Sequence, residues 1–343
     1  MIGVFTAEHP LHEHVDVHHW LAYKNEKIVG RIAGGINRRF NEFHKVKSAS
    51  FSFFESIEDQ EVASALFNAV KEWAKNKGMD SVRGPGGQYS NATHESWQGC
   101  LIDNFHDDPC LEMPYHKYYY ASMMEKHGFR KLKDYYAVQM SKLHPFIESE
   151  TVFMNRLKKR SNVQTRSMDK NNIKGDVLKI IEIYNEAWRY NWGFLPLTIE
   201  EGEAMASMLT MIAVPELIRF AMIDGKEVAT IGFLPDLNET FALKKSIFGN
   251  SDLVRLLRMF IKRKKIRRYR FMFLGVLPEY KKKGFDAILS FEVRNNLGIV
   301  RPHADSVEAS LLLEDNTPII QLATTERGLG HIYKTYRIYS INI

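Results

Sequence analysis

Twice along this chain the hydrophobic pattern runs through the same order of strands, a helix and further strands, and this doubled order restricts the fold more than any other feature. In the first half, strands are predicted at 18-HHWLAYKN-25 and 28-IVGRIAGGIN-37 around the turn NEK, and the short aromatic run 51-FSFFES-56 suits a buried strand. The stretch 58–78 then sets Val62, Leu66, Val70 and Trp73 at helical spacing. Acidic residues open it, lysines close it and Gly78 ends it, as helix termini require. A strand at MDSVRGP, a helix over 117–128 and a strand over 134–140 complete the half.

A polar link at 141–162 precedes the return of the pattern. A helix is predicted over 176–192 with Ile180, Ile183, Tyr184 and Ala187 on one face, then strands over 217–224 and 226–235 joined by the turn DGK. An amphipathic helix over 251–264, capped by Ser251, is expected to turn Leu253, Leu256, Leu257 and Phe260 inward. Strand 269–276, helix 284–298, strand 307–314, a helix from about Asn316 and a closing strand 331–340 follow. The fold class is therefore α/β, an α+β arrangement on mixed sheet. The repeated order suggests an internal duplication, which residue identity between the halves is too weak to prove. A length of 343 residues suits two domains.

Composition removes several function classes. No run approaches the roughly 18 apolar residues of a membrane span, and the amino end has neither a basic nor an apolar leader segment, so no membrane partner is expected. Two cysteines, Cys100 and Cys110, fit a reducing cytoplasm better than a disulfide framework. The net charge of +6 favours anionic partners, and a phosphorylated cofactor meets that description as well as nucleic acid does. Histidines at 9, 12, 14, 18 and 19 lack an HExxH or cysteine-paired spacing, so no metal site is predicted. The glycines of GPGG (84–87) read as a turn. The basic run 262-KRKKIRRYR-270 has three readings: RNA contact, contact with the 3′-phosphate of CoA, or a solvated helix end. It matches no nucleic-acid-binding module, so a nucleic-acid partner is not expected.

The stretch 274-LGVLPEYKKKGFDA-287 carries the sharpest chemistry. A strand, a basic loop with one glycine and a helix start bring free backbone N–H groups and a positive dipole to one point, which suits a pyrophosphate. An ordinary lysine-rich turn has the same residues, as does a nucleic-acid patch. PEYKKKG in this setting resembles the acyl-CoA-binding motif V-x-P-x-Y-[RQ]-x-x-G-x-[GA] of the GCN5-related N-acetyltransferase superfamily. Val276, Pro278, Tyr280 and Gly284 match it, and Lys281 takes the Arg/Gln position. SLLLEDNTP, with Asn316, is similar to that superfamily's following motif. YNEAWRYNWGFLPLT, FFES, RGP and MPYHKYY look like a bacterial subgroup that carries two such folds in tandem, so the likeness covers nearly the whole chain.

The resemblance implies two tandem acyltransferase-like domains. Residues 1–145 would form a degenerate domain without a pyrophosphate loop, since ESIEDQE is acidic, and residues 160–343 a domain with the acyl-CoA motif. It implies acetyl-CoA or another acyl-CoA as co-substrate, held by Val276, Lys281, Lys282, Lys283, Gly284, Phe285, Asp286 and Asn316. A small-molecule or peptide amine would attack the thioester directly. Asp286 departs from the usual Gly or Ala, and Ala323 stands where many members carry an acidic tyrosine. Glu314 and Tyr333 are the catalytic candidates left, each with a packing or solvent-facing alternative. The MPYHKYYY segment either lines a substrate cleft or packs in a core. The expected function is acyl-CoA-dependent N-acylation, most simply acetylation; the alternative is a non-catalytic acyl-CoA-binding or scaffold protein.

Overall fold

Alternation between hairpins and crossover helices builds the β-structure of each half. The computed structural model describes residues 10–86, 98–141, 148–241, 258–325 and 330–343. Two compact units emerge, neither contiguous in sequence. Unit one takes Met1–Ala137, Leu311–Thr317 and Tyr333–Ile343, and unit two takes Val138–Ser310 and Pro318–Ile332.

In unit one, β1 (Val15–Lys24) and β2 (Lys27–Asn37) pair antiparallel about Asn25 and Glu26, both left-handed as a two-residue hairpin turn requires. Asn37 caps α1 (Arg38–His44) by accepting the Phe40 N–H at 3.0 Å. β3 (Ser48–Ser56) runs antiparallel to β2 and parallel to β4 (Ser81–Gly84), with α2 (Gln60–Asn76) as the crossover. β5 (Cys100–Leu101), α3 (Tyr120–Lys126) and β6 (Arg130–Ser141) follow. The strand that closes this sheet comes from the far end of the chain: β12 (Gly330–Asn342) pairs antiparallel with β4, from Tyr339↔Gly84 to Asn342↔Ser81. Val62, Leu66 and Val70 of α2 are buried as their spacing predicts, while Trp73 is half-buried and meets Trp20 edge-on at 5.8 Å. Phe51, Phe54, Phe67, Phe129 and Tyr120 fill the core with ring centroids 4.7–5.7 Å apart, within the range of favourable aromatic pairs.

In unit two, α4 (Glu148–Arg160) and β7 (Gln164–Ser167) occupy and follow what reads as a polar link. α4 buries no side chain and β7 is the polar edge QTRS, so neither has a hydrophobic period to reveal it. α5 (Ile173–Ala187) and α6 (Ile199–Ile212) pack together, and Asn185 holds the intervening loop by bonding both the N–H and the C=O of Leu197. β8 (Ile218–Ile223) and β9 (Lys226–Pro235) form a hairpin about left-handed Asp224 and Gly225. After α7 (Asn238–Phe241), β10 (Arg268–Val276) pairs antiparallel with β9. α8 (Phe285–Val300) crosses over to β11 (from Ser306), which starts parallel to β10, and α9 (Thr317–Thr325) follows. Half of the helix predicted over 251–264, including Ser251, Leu253, Leu256 and Leu257, lies outside the described residues. Its end differs from expectation: Met259 is buried, whereas Phe260 is 51% exposed.

Glu292 of α8 ties this helix to the sheet. Its carboxylate takes Lys158 and Arg219 at 2.5 Å each and the Thr165 hydroxyl at 2.8 Å. Burial pushes the Glu292 carboxyl up, but the hydrogen bonds from Lys158 and Thr165 and the Arg219 charge outweigh it and hold the group below its ordinary value.

Candidate functional site

In both units, one strand carries an extra residue where its parallel pairing stops. In unit two the parallel ladder runs from Arg268↔Ser306 to Phe271↔Ala309. The β9–β10 register then slips between Phe271 and Phe273, leaving Met272 as a bulge. In unit one the ladder runs from Ser48↔Ser81 to Ser50↔Arg83, and the β2–β3 register slips beside Phe53, which is left-handed. A bulge bends its strand and ends pairing. Each strand therefore continues with one edge bonded to its antiparallel neighbour and the other edge open.

Hydrogen-bond parity identifies the groups on those open edges. Leu277 N–H donates to Val228 C=O at 2.9 Å, so the alternation of an antiparallel ladder turns the polar groups of Leu274 and Val276 away from β9. The indole N–H of Trp188, at the end of α5, donates to Leu274 C=O at 3.0 Å. In unit one, Ile57 N–H donates to Val29 C=O, which turns both polar groups of Ser56 away from β2. Ser56 is thus the positional counterpart of Val276.

The two counterparts differ in what meets them. Tyr120 accepts the Ser56 N–H at 3.2 Å, and Tyr119 donates to the Ser56 C=O at 2.9 Å. Tyr120 also donates to Glu55 at 2.8 Å, and Tyr118 donates to Glu58 at 2.9 Å. Burial pushes the Tyr120 hydroxyl up, so it stays a neutral donor. The aromatic segment ending in Tyr120 therefore fills the open edge of β3. Asp59 caps α2 just beyond, accepting the N–H groups of Glu61 and Val62. His116 of the same segment accepts the Leu101 N–H on Nδ1, and burial pushes its imidazole down to about 4.

Unit two presents the reverse arrangement after β10. Lys282 and Gly284 are both left-handed, with φ of 64° and 79°. They flank Lys283 in the alternating geometry that makes a concave nest of N–H groups. Gly284 is the N-cap of α8 and no side chain caps that helix, whereas Asp59, Asn172 and Thr198 cap α2, α5 and α6. Among the described residues, the N–H groups of Lys282, Lys283, Gly284 and Phe285 have no acceptor. The side chains of Lys281, Lys282 and Lys283 are exposed and meet no carboxylate among the described residues; Lys283 lies 4.6 Å over the Tyr280 ring. Phe285 is buried and stacks 6.0 Å from Tyr280, fixing the loop from beneath. Asp286 is exposed in the first turn. Gly284 also has a packing role that its motif does not disclose: a Cβ there would lie 2.9 Å from a methyl of Leu157 on α4. The nest, the dipole and the lysines together suit a pyrophosphate.

The remaining sequence candidates cluster with unit one. Glu314 accepts Lys131 at 2.6 Å and the Asp134 N–H at 3.2 Å, and Asp134 in turn holds Arg337. Asn316 closes a turn by donating its N–H to Leu313 C=O. Tyr333 is buried, with Lys334 5.1 Å over its ring. Ala323, where a tyrosine would stand, belongs instead to unit two and is buried.

No known family model matches the chain. It is 31% identical over 347 residues to Protein YghO of Escherichia coli K12, covering 98% of this chain and 85% of that protein. It is 27% identical over 343 residues to the bacterial ceramide synthase of Caulobacter vibrioides, covering 96% of this chain and 85% of that protein. Among solved structures, a tandem GNAT protein from the clavulanic acid biosynthesis pathway superposes with a TM-score of 0.53 at 10% identity, covering 96% of this chain and 83% of that one. A GCN5-related glucosamine N-acetyltransferase region of a fungal multi-domain GH3 β-N-acetylglucosaminidase gives 0.58 at 13% identity, covering 99% of this chain and 34% of that one. At such identities the structural matches speak to the fold.

Proposed function

We propose that this chain, which belongs to the same family as Protein YghO of Escherichia coli and has the fold of tandem GNAT proteins, is an acyl-CoA-dependent N-acyltransferase that binds its acyl-CoA through unit two. The observation that supports this best is the contrast between equivalent edges. The Ser56 edge is closed by tyrosines and followed by a capped helix, while the Val276 edge leads into an uncapped nest with three exposed lysines. In this reading the N–H groups of Lys282, Lys283, Gly284 and Phe285 bind the pyrophosphate, and Lys281 adds charge beside it. Val276 bonds the pantetheine arm and Asn316 belongs to the adjoining motif.

In the reaction, an amine lone pair attacks the thioester carbonyl, a C–N bond forms, the C–S bond breaks and CoA leaves as the thiolate. The ammonium proton must pass to a base, for which Glu314 is the candidate, with Tyr333 as the candidate acid. Acetyl is the simplest acyl group. The likeness to a ceramide synthase favours a longer one, and an acceptor of the long-chain amino-alcohol type, since a ceramide is a fatty amide of such an amine. Buried free thiols at Cys100 and Cys110 suit a reducing compartment.

Calorimetry against acetyl-CoA and longer acyl-CoAs, followed by thiol release with a long-chain amino alcohol, tests the proposal. Binding with turnover is expected, and Glu314→Gln is expected to slow turnover about a hundredfold at unchanged affinity. Failure to bind any acyl-CoA would end the reading, and binding without thiol release from any amine would leave an acyl-CoA-binding protein. Asp286→Ala should leave CoA affinity unaltered, because the carboxylate faces water, and should cost roughly 0.3 kcal/mol through the helix dipole. Titration and thermal melting of that variant check both halves of the statement.

A further inference from the structure

The basic run 262–270 divides sharply once its partners are known. Arg267 pairs with Asp305, and the backbone N–H groups of Arg267 and Arg268 are held by Glu239 of α7. The Arg268 side chain pairs with buried Asp236 at 2.5 Å, and Arg270 is buried against Ser310. The charges left over are consecutive. Lys262, Arg263, Lys264 and Lys265 are all exposed and meet no carboxylate among the described residues. Immediately before them, Phe260 is 51% and Ile261 74% exposed. The Arg263 guanidinium lies 5.3 Å over the Phe260 ring. Met259 and Ile266, at 4% and 2%, pin the two ends of this short segment into the core. Its apolar and cationic side chains are therefore displayed outward by a fixed backbone.

We propose that residues 260–265 are a peripheral docking surface for an anionic lipid bilayer. Phe260 and Ile261 enter the headgroup region, and Lys262, Arg263, Lys264 and Lys265 meet the lipid phosphates. Two large apolar side chains beside four cations that meet no carboxylate among the described residues is the composition of an interfacial anchor. Long basic side chains can bury their stems while keeping their charges at the phosphates. A nucleic acid would use the cations and could stack on Phe260, but it gives Ile261 nothing. Peripheral binding needs no spanning helix, so the lack of one among the described residues is compatible with it.

The test is co-sedimentation of the full chain with vesicles of phosphatidylcholine alone and with added phosphatidylglycerol. The chain is expected to partition onto the anionic vesicles, and less so as salt rises. Changing Lys262, Arg263, Lys264 and Lys265 together to Gln should weaken partitioning several hundredfold, at about fivefold per charge. Phe260→Ser and Ile261→Ser should each cost roughly tenfold with every charge in place. CoA titration of the same variants keeps this proposal separate from the acyl-transfer reading, and unchanged affinity is expected. The proposal is overturned if anionic vesicles are not bound, or if the two serine variants bind them as the parent does. It also fails if polyuridylate binds the segment and vesicles do not displace it, or if the glutamine variant loses CoA, which would assign the segment to the 3′-phosphate.

Discussion

Gly284→Glu is expected to abolish CoA binding in a protein that still folds. Three effects act at this position. A left-handed φ of 79° disfavours any side chain, a Cβ meets Leu157, and a carboxylate would project into a nest built for phosphate. The first two are shared by Gly284→Ala, so alanine is the control. It should lower the melting temperature through about 1–2 kcal/mol of backbone strain, plus whatever Leu157 cannot relieve by turning its methyl away. Alanine should retain measurable CoA affinity, and glutamate should not. Equal losses in the two variants would mean that the glycine serves packing alone. Unchanged CoA affinity in folded Gly284→Glu would remove the phosphate site from this loop.

Glu292→Gln should destabilise unit two by about 3 kcal/mol near neutral pH, because it strands Lys158 and Arg219 around a partly buried position. For a unit of this size that is a fall of roughly 6–12 °C in melting temperature. The pH dependence has a definite sign. The folded-state carboxyl lies below its ordinary 4.5, so its contribution is complete above that value and is lost as pH falls through the folded value. Melting curves of parent and variant should therefore converge on acidification. A gap that stayed constant down through this range would mean that the carboxylate charge is not what holds α8.

Much of the architecture was legible in the sequence because it rests on local signals. The turn DGK placed β8 and β9, and the strand expected over 226–235 has those observed bounds. The motif stretch located β10, the loop and α8 for the same reason: a strand end, a glycine and a helix start are neighbours in the chain. What escaped depends on neighbours distant in sequence. Tyr119 and Tyr120 are aromatic residues like any others until they meet Ser56, more than sixty positions away. Leu157 sits on a helix that buries nothing, so no period marked it as the residue that needs Gly284 bare. Phe260 has helical spacing suited to a core, yet the segment turns Met259 inward instead. The bulges at Met272 and Phe53 are properties of two-strand register, which a single strand's sequence does not specify.

The pairing of β12 with β4 also bears on how the protein is made. Tyr339 lies opposite Gly84, so the strand that pairs with the free edge of β4 is translated about 250 residues after it. Until then β4 has a parallel partner on one side and an unpaired edge on the other, a condition that invites pairing with another chain. In unit two, by contrast, β7, β8, β9 and β10 are all translated before β12 begins. Synthesis should therefore give a chain whose later unit matures first, while its earlier unit waits as an open sheet. Such long-range closure is slow because loop entropy must be overcome before the contacts form. Emergence of β12 would then be the step at which unit one becomes resistant to proteolysis.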